Sequence, residues 1–483
     1  MNRFLLFLIV FSFCLGISKG QEQLGLSQEN HAGINAIWIN PANSFLTPHP
    51  WDINIISAGV FFDNNYGYLK NTNSYRLYKK RKSLSFEFDS LKTGGGFLSA
   101  ETVYLDFYKS KKVSSVALSG KLNGPSFTIK IDKNSSIGFV SAFRAIANIQ
   151  KIPKELSFYT YFNKPFYRSF PISSFKAGYL SWQEYGLNYV KRVKGYSTNT
   201  LIGITVKYLA GNEAGFFDNK KTFLLQQMPN DSIAIIGKAN LQYGITTRSF
   251  NANHFLLKQN GVGVSVDLGT TIIFGENLKD QKFRIGVSLL DIGFIKFNKN
   301  ALEYKIDIDT LAIFDINDYK GINQLSQIDS INKILSKQAL NNPEESFVAN
   351  SFSVWLPFAL SLQFDYSFSQ WLHLNTTLIQ RITSKSHAVA RDNIFAITPR
   401  IEHRWFSVSV PFVIYNWRDF RIGTSIRLAY LTLGSDNILS VFSSQTHYTG
   451  SDIYIGLKFN PFWEKKTNKH KRKSIRKIKC YEF

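Results

Sequence analysis

Charged side chains recur at every second position inside apolar runs of this sequence. Arg421 and Arg427 share one parity with Gly423, Ser425 and Ala429, while Phe420, Ile422, Thr424, Ile426, Leu428 and Tyr430 take the other. Lys207 alternates with Ile202, Ile204, Val206 and Tyr208, and Asp267 with Val262, Val264, Val266 and Leu268. Glu184, Arg284, Asp365 and His373 fall on the polar parity of their own runs. Charges of both signs on one face can pair with one another, or can bind or conduct a charged solute. His373-Leu374-Asn375 sets an imidazole and an amide on one face, a faint likeness to a hydrolase site, but no serine joins them in the sequence. No catalytic residue is assigned and no enzymatic activity is expected. The histidines lack metal-ligand spacing and there is no cysteine cluster, so neither metal nor cofactor is expected. Gly261-Val262-Gly263 opens no turn into a helix and is not a phosphate loop.

Period-two alternation belongs to strands with one apolar and one polar face. Such strands fit a half-buried soluble sheet, or a membrane barrel with lipid outside and water within. The runs reach about ten residues, enough to cross a bilayer at a tilt. No apolar stretch after the N-terminus is long enough for a membrane helix, and lipid cannot satisfy an open sheet edge. The 15% aromatic content suits strand faces and interfacial girdles, with Trp371, Trp405 and Trp417 near strand ends. The fold expected is all-β: a transmembrane antiparallel up-and-down barrel of about 14–16 strands spanning 52–460. The tally of about sixteen includes a weaker pair at 83–89 and 101–108 and a moderate run at 237–247, and one merged or missed hairpin would leave fourteen. The lumen-facing candidates are Glu184, Lys207, Asp267, Arg284, Asp365, His373, Arg421 and Arg427. They either line a path for a solute or only neutralise one another and stiffen the barrel.

The flanks differ. Residues 1–20 read as a signal peptide, with Arg3, an apolar core, and Ser18-Lys19-Gly20 at the cleavage site. Its removal leaves Cys480 as the one cysteine, so no internal disulfide is expected. Residues 21–51 are punctuated by Asn and Pro, and Ile34, Asn35, Ile37, Trp38, Ile39, Asn40 and Pro41 need a buried place. The segment is expected to plug the lumen; the other reading is a periplasmic leader lying on the surface. Helical spacing of Ile322, Leu325, Ile328, Ile331, Ile334 and Leu335 predicts a helical insertion at about 315–345. Strand parity counted back from the last strand puts this insertion and the turn at 416–419 in the periplasm. The same parity puts the short turns at 369–370 and 403–404 outside. Part of the net charge of +23 sits in a basic periplasmic tail at 461–483, with nine Lys or Arg residues from Lys465 to Lys479. That tail is either solvated or binds a lipid surface or an acidic periplasmic protein. A signal peptide excludes nucleic acid as a partner.

The leader, with Gly33-Ile34-Asn35 and Asn40-Pro41-Ala42, resembles the N-terminal region of FadL-type outer-membrane transporters. The ordered landmarks Gly124-Pro125-Ser126, Trp182-Gln183-Glu184, Lys207-Tyr208-Leu209-Ala210-Gly211, Leu290-Asp291-Ile292-Gly293, Leu356-Pro357 and Asp365-Tyr366 are similar to an uncharacterised family of large Gram-negative outer-membrane barrels. That family implies fold and outer-membrane location. The FadL likeness implies an N-terminal hatch and uptake of lipophilic solutes, whereas the basic tail is outside its pattern. Two functions follow: a channel or transporter for a small solute, hydrophobic ones included, or a structural or assembly barrel that anchors periplasmic or secreted proteins.

Overall fold

The computed structural model describes residues 22–80, 85–88, 102–109, 113–229, 233–246, 258–275, 282–320, 322, 327–382 and 387–461. The signal peptide and nearly all of the basic tail lie outside these residues. Among the described residues no helix is long and apolar enough to cross a membrane.

Fourteen strands close a ring. They are β1 (Trp51–Asn64), β2 (Ser114–Asn123, resuming at Ser126–Lys130), β3 (Ser135–Ile152), β4 (Lys176–Lys194) and β5 (Thr198–Asn219). Next come β6 (Gly261–Phe274), β7 (Phe283–Phe297), β8 (Phe352–Trp355 and Ala359–Ser367), β9 (Leu372–Arg381) and β10 (Ile394–Glu402). The set ends with β11 (Phe406–Ser409 and Phe412–Tyr415), β12 (Asp419–Ile422 and Thr424–Leu428), β13 (Leu431–Ser435) and β14 (Gly450–Phe459). Each pairs antiparallel with its neighbour, and β1 pairs with β14 from Ile53↔Phe459 to Asp63↔Gly450. Closure leaves no edge, which is what a bilayer demands of strands.

Alternation decides which way each strand faces. On β4, Tyr185, Leu187 and Tyr189 are exposed while Glu184, Asn188 and Val190 are buried. On β6, Val262, Val264 and Leu268 are exposed while Ser265 and Asp267 are buried. The apolar parity therefore makes the outer wall, where a charge would cost roughly 2–4 kcal/mol at mid-membrane.

β1 begins and β14 ends at one rim, here the near rim. Turns there are short: 131–134, 195–197, 368–371, 403–405 and 429–430. The connections at 65–113, 153–175, 220–260, 298–351 and 382–393 lie at the far rim, and most are long. This corrects the expected parity in four places. The turn at 416–418 is at the far rim, the turns at 369–370 and 403–404 are at the near rim, and the helical insertion stands at the far rim. The strand tally differs at three points, of which the last two change the parity. Gly67–Thr72, Ser85–Phe88, Thr102–Phe107 and Gln445–Tyr448 form a separate four-stranded sheet outside the ring. Ile233–Thr246 pairs with Ala301–Asp315 beyond β5 and β7 rather than joining the wall. Conversely, β12 stops at Leu428, because Ala429 takes φ +51 and turns the chain into β13. The insertion's helix, Ile328–Leu340, packs Leu335, Ala339 and Leu340 against Ile306 and Ile308 of that outlying pair.

Candidate functional site

Residues 22–50 precede β1 and lie against the inner faces of strands from all sides of the ring. Three short helical turns shape the segment: Leu24–Ser27, Gly33–Trp38 and Pro41–Leu46. Gly33 takes φ +56, and a side chain there would strike the Asp52 carboxylate. The Ile34 N–H donates to Asp52 Oδ1 at 3.3 Å, and Asn35 Nδ2 donates to Asn54 Oδ1 at 3.2 Å.

Asn40 caps the third turn by accepting from the Ala42 N–H at 3.0 Å, and Pro41 follows as its first residue. The Asn40 amide donates to Gln363 Oε1 at 2.9 Å and Thr271 Oγ1 at 3.2 Å. Asn188 Nδ2 donates to the Pro41 carbonyl, and Ser44 Oγ donates to Asn188 Oδ1 at 2.7 Å. The seat is made of glycines: a Cβ on Gly203 would strike Ala42, and one on Gly269 would strike Asn40 and Pro41. Gly203 and Gly269 are direct partners across β5 and β6. The Asn-Pro-Ala landmark thus meets a wall position where the backbones can approach.

Around this segment the buried charges form a lattice. Arg144 grips Asp291 with two hydrogen bonds of 2.9 Å and lies 3.5 Å from Glu184. Lys207 reaches Asp267 at 2.6 Å and Asp291 at 3.2 Å. Trp38 covers the group, its ring 3.7 Å from Lys121 Nζ and 5.2 Å from Lys207 Nζ. Toward the near rim, Arg400 and Arg284 bind Asp365 at 2.6 and 3.2 Å, and Arg400 also binds Glu402. Arg421 pairs with Asp63 toward the far rim, and Lys458 with Asp52 at 3.2 Å. A residual cavity of about 20 Å³, lined by Gln28, Asn43, Arg284, Gln363 and Asp365, has room for about one water.

A family model described as a family of unknown function, DUF5723, matches residues 56–436. The chain belongs to that family. The match leaves out residues 22–50 and β14. No curated protein matches the chain. Among solved structures, a deletion mutant of the TodX monoaromatic hydrocarbon channel is 11% identical, with 88% of this chain and 93% of that chain covered and a TM-score of 0.39. The CymD monoaromatic hydrocarbon channel is 9% identical, with 91% and 96% covered and a TM-score of 0.29. A FadL homologue from Pseudomonas aeruginosa is 8% identical, with 88% and 94% covered and a TM-score of 0.22. Membership of an uncharacterised barrel family agrees with the ordered landmarks.

Within the DUF5723 barrel, Glu184, Lys207, Asp267, Arg284, Asp365, His373, Arg421 and Arg427 are all buried on inner faces. The structure sorts them into groups: Glu184, Lys207 and Asp267 in one, Arg284 and Asp365 in another, Arg421 with Asp63 in a third. Arg427 binds Glu29 of the N-terminal segment at 2.8 Å. His373 stands apart, its Nδ1 2.8 Å from Ser367 Oγ. That serine corrects the expectation that none joins His373. Two acids lie in electrostatic reach of His373: Glu402, engaged by Arg400 and the Asn30 N–H, and Asp365, engaged by Arg284 and Arg400.

Asp291, Arg144, Arg391, Glu22 and Glu29 were missed. Asp291 hides behind a bulge: the β6–β7 register shifts between Val266 and Leu268, and Asp291 takes φ +58. Its N–H donates to Asp267 Oδ1 at 2.7 Å, and its side chain swings inward although strict alternation from Arg284 sends it out. The sequence signal was the Leu290-Asp291-Ile292-Gly293 landmark itself. Arg391 comes from the far-rim connection 387–393, which folds down into the ring mouth and bonds Glu22 from Nε at 2.5 Å and Nη2 at 2.7 Å. In the same connection His387 stacks on Phe216 at 3.7 Å. Burial lowers its pKa to about 4; Lys220 and Lys176 act in the same direction and Asp218 opposes them.

Proposed function

We propose that this DUF5723 protein is an outer-membrane channel for a small solute, closed by residues 22–50. One observation supports the reading: residues 22–50 bond the polar inner wall through side chains on many strands, and their apolar side chains fall into three separate small clusters with the wall rather than one continuous core. Their wall partners Asp52, Asn54, Asn188, Thr271, Ser288, Gln363, Glu402 and Tyr454 come from seven strands around the ring. Each such bond contributes about 0.5–1.5 kcal/mol net, because water can replace it. These polar bonds can be exchanged for solvent, while the buried Ile34, Ile37, Trp38 and Phe45 hold the segment in its closed position. The paired rims support the orientation: both ends of the wall in the periplasm with short turns, and the long connections outside.

The test is a lock. With Cys480→Ser as background, Ser44→Cys and Asn188→Cys face each other across a 2.7 Å contact. In proteoliposomes the reduced protein is expected to admit small solutes, and the oxidised protein to admit none. Uptake that is equal in the two redox states rejects closure by this segment.

A further inference from the structure

We propose that the solute is a small carboxylate anion, and that Glu22 and Glu29 occupy the sites its carboxylates take. The inference rests on the reading that residues 22–50 close the channel.

Those residues contain two acids, Glu22 and Glu29, and no lysine or arginine. Both acids are spent on the wall and the mouth. Glu22 receives the two-pronged bond from Arg391. Glu29 receives Arg427 Nε at 2.8 Å on Oε2 and the Ser407 hydroxyl on Oε1. All five side chains are more than nine-tenths buried. Arg427 is pre-aimed, because its Nη2 donates to the His403 carbonyl at 2.9 Å and its Nη1 to the Arg404 carbonyl at 3.3 Å. That leaves the Nε edge for a carboxylate.

The remaining buried pairs have both members in the wall. Arg144–Asp291, Lys207–Asp267, Arg284–Asp365, Arg400–Glu402, Arg421–Asp63 and Lys458–Asp52 keep their carboxylates when the segment leaves, although Arg284 and Lys458 give up hydrogen bonds to Asn30 and the His31 carbonyl. Arg391 and Arg427 are the two arginines that lose a carboxylate, although Arg391 keeps Asp291 at 3.7 Å. An arginine stripped of its partner in a buried site is costly, so displacement is favoured by whatever restores the partner. A carboxylate does so in the same bidentate or hydroxyl-assisted geometry; a neutral or cationic solute does not. The two sites are not equal. Asp436 accepts from the Leu24 N–H at 3.4 Å, and the Asp452 carboxyl accepts from the Asp436 N–H at 3.3 Å, so acidic groups crowd the Glu22 end. The Arg427–Ser407 site is therefore the stronger, and it sits toward the near rim.

The experiment uses the full chain carrying Glu22→Gln and Glu29→Gln, with heat-modifiable gel mobility confirming the folded barrel and Glu29→Gln alone as a gentler second variant. Succinate binding is read by calorimetry, and uptake of succinate, erythritol and choline by proteoliposome assay. The expected results are succinate binding tightened about tenfold or more over the parent, which is a shift of about 1.4 kcal/mol, and lost again when Arg427→Gln is added. Succinate uptake is expected to exceed that of the other two. No succinate binding in either glutamine variant, or binding indifferent to Arg427→Gln, overturns the proposal. If all three solutes enter equally, the carboxylate assignment fails while closure by the segment stands. Binding at Arg427 with no uptake of any solute keeps the anion site and removes the channel.

Discussion

Asp291 shows how much a single residue can hold together. It accepts two hydrogen bonds from Arg144 and one ion pair from Lys207, and its own amide fixes Asp267. Removing one member of a buried pair leaves an uncompensated charge, which costs about 3–5 kcal/mol. Arg144→Met is therefore expected to lower the stability of the refolded barrel by roughly that amount, read as a drop in its urea unfolding midpoint. Adding Asp291→Asn should recover part of the loss, because it removes the carboxylate left without its two-pronged partner while Lys207 keeps Asp267. Equal stability of Arg144→Met and the parent would mean that water reaches this group. Sequence alternation revealed Lys207, Asp267 and Glu184, since each obeys strict period two. It concealed Asp291, since one extra residue in β7 reverses the parity from that point on.

At the scale of elements, the glycines of β5 and β6 and the turn that starts at Pro41 are made for one another. Gly269→Val should unseat Asn40 and Pro41 while leaving the ladder paired, because Gly269 faces inward and valine suits a strand. The expected outcome is faster proteolysis of residues 22–50 at an unchanged gel mobility; protection equal to the parent would show that the seat tolerates a side chain. The helix Ile328–Leu340 makes a separate prediction. It stands at the far rim, so Lys333→Cys, in the Cys480→Ser background, should react with a membrane-impermeant thiol reagent on intact cells. Protection until the outer membrane is broken would invert the assigned orientation. Helical spacing was enough to find this helix, but which rim it occupies depended on counting every strand before it.

For the whole molecule, the far-rim connection and the N-terminal segment meet inside the ring at Arg391 and Glu22, so loosening one loosens the other. His387 anchors that connection and stays neutral in the fold down to about 4, against an ordinary 6.5. Unfolding or release therefore takes up a proton between those values. The sign follows: the stability of the seated connection is full above about pH 6.5, falls as pH drops toward 4, and changes no further below. Hydrogen exchange of residues 387–393 should speed up across that window, and His387→Phe should flatten the profile while keeping the stack on Phe216. A profile unchanged by His387→Phe would place the sensitivity elsewhere.

Period two, strand length and the confinement of charge to one parity were fixed along the chain. They were enough to establish a membrane barrel, its apolar exterior and the identity of most charges inside. These are local properties, because lipid on one side and fixed pairing on the other leave each strand little choice. Only the closed ring decided that fourteen strands form the wall, that four short strands at 67–72, 85–88, 102–107 and 445–448 stand outside it, and that Glu22, Glu29, Asp291 and Arg391 meet partners hundreds of residues away. A bulge, a left-handed turn at Ala429 and a connection folded back into the mouth each depend on neighbours that the local pattern does not contain.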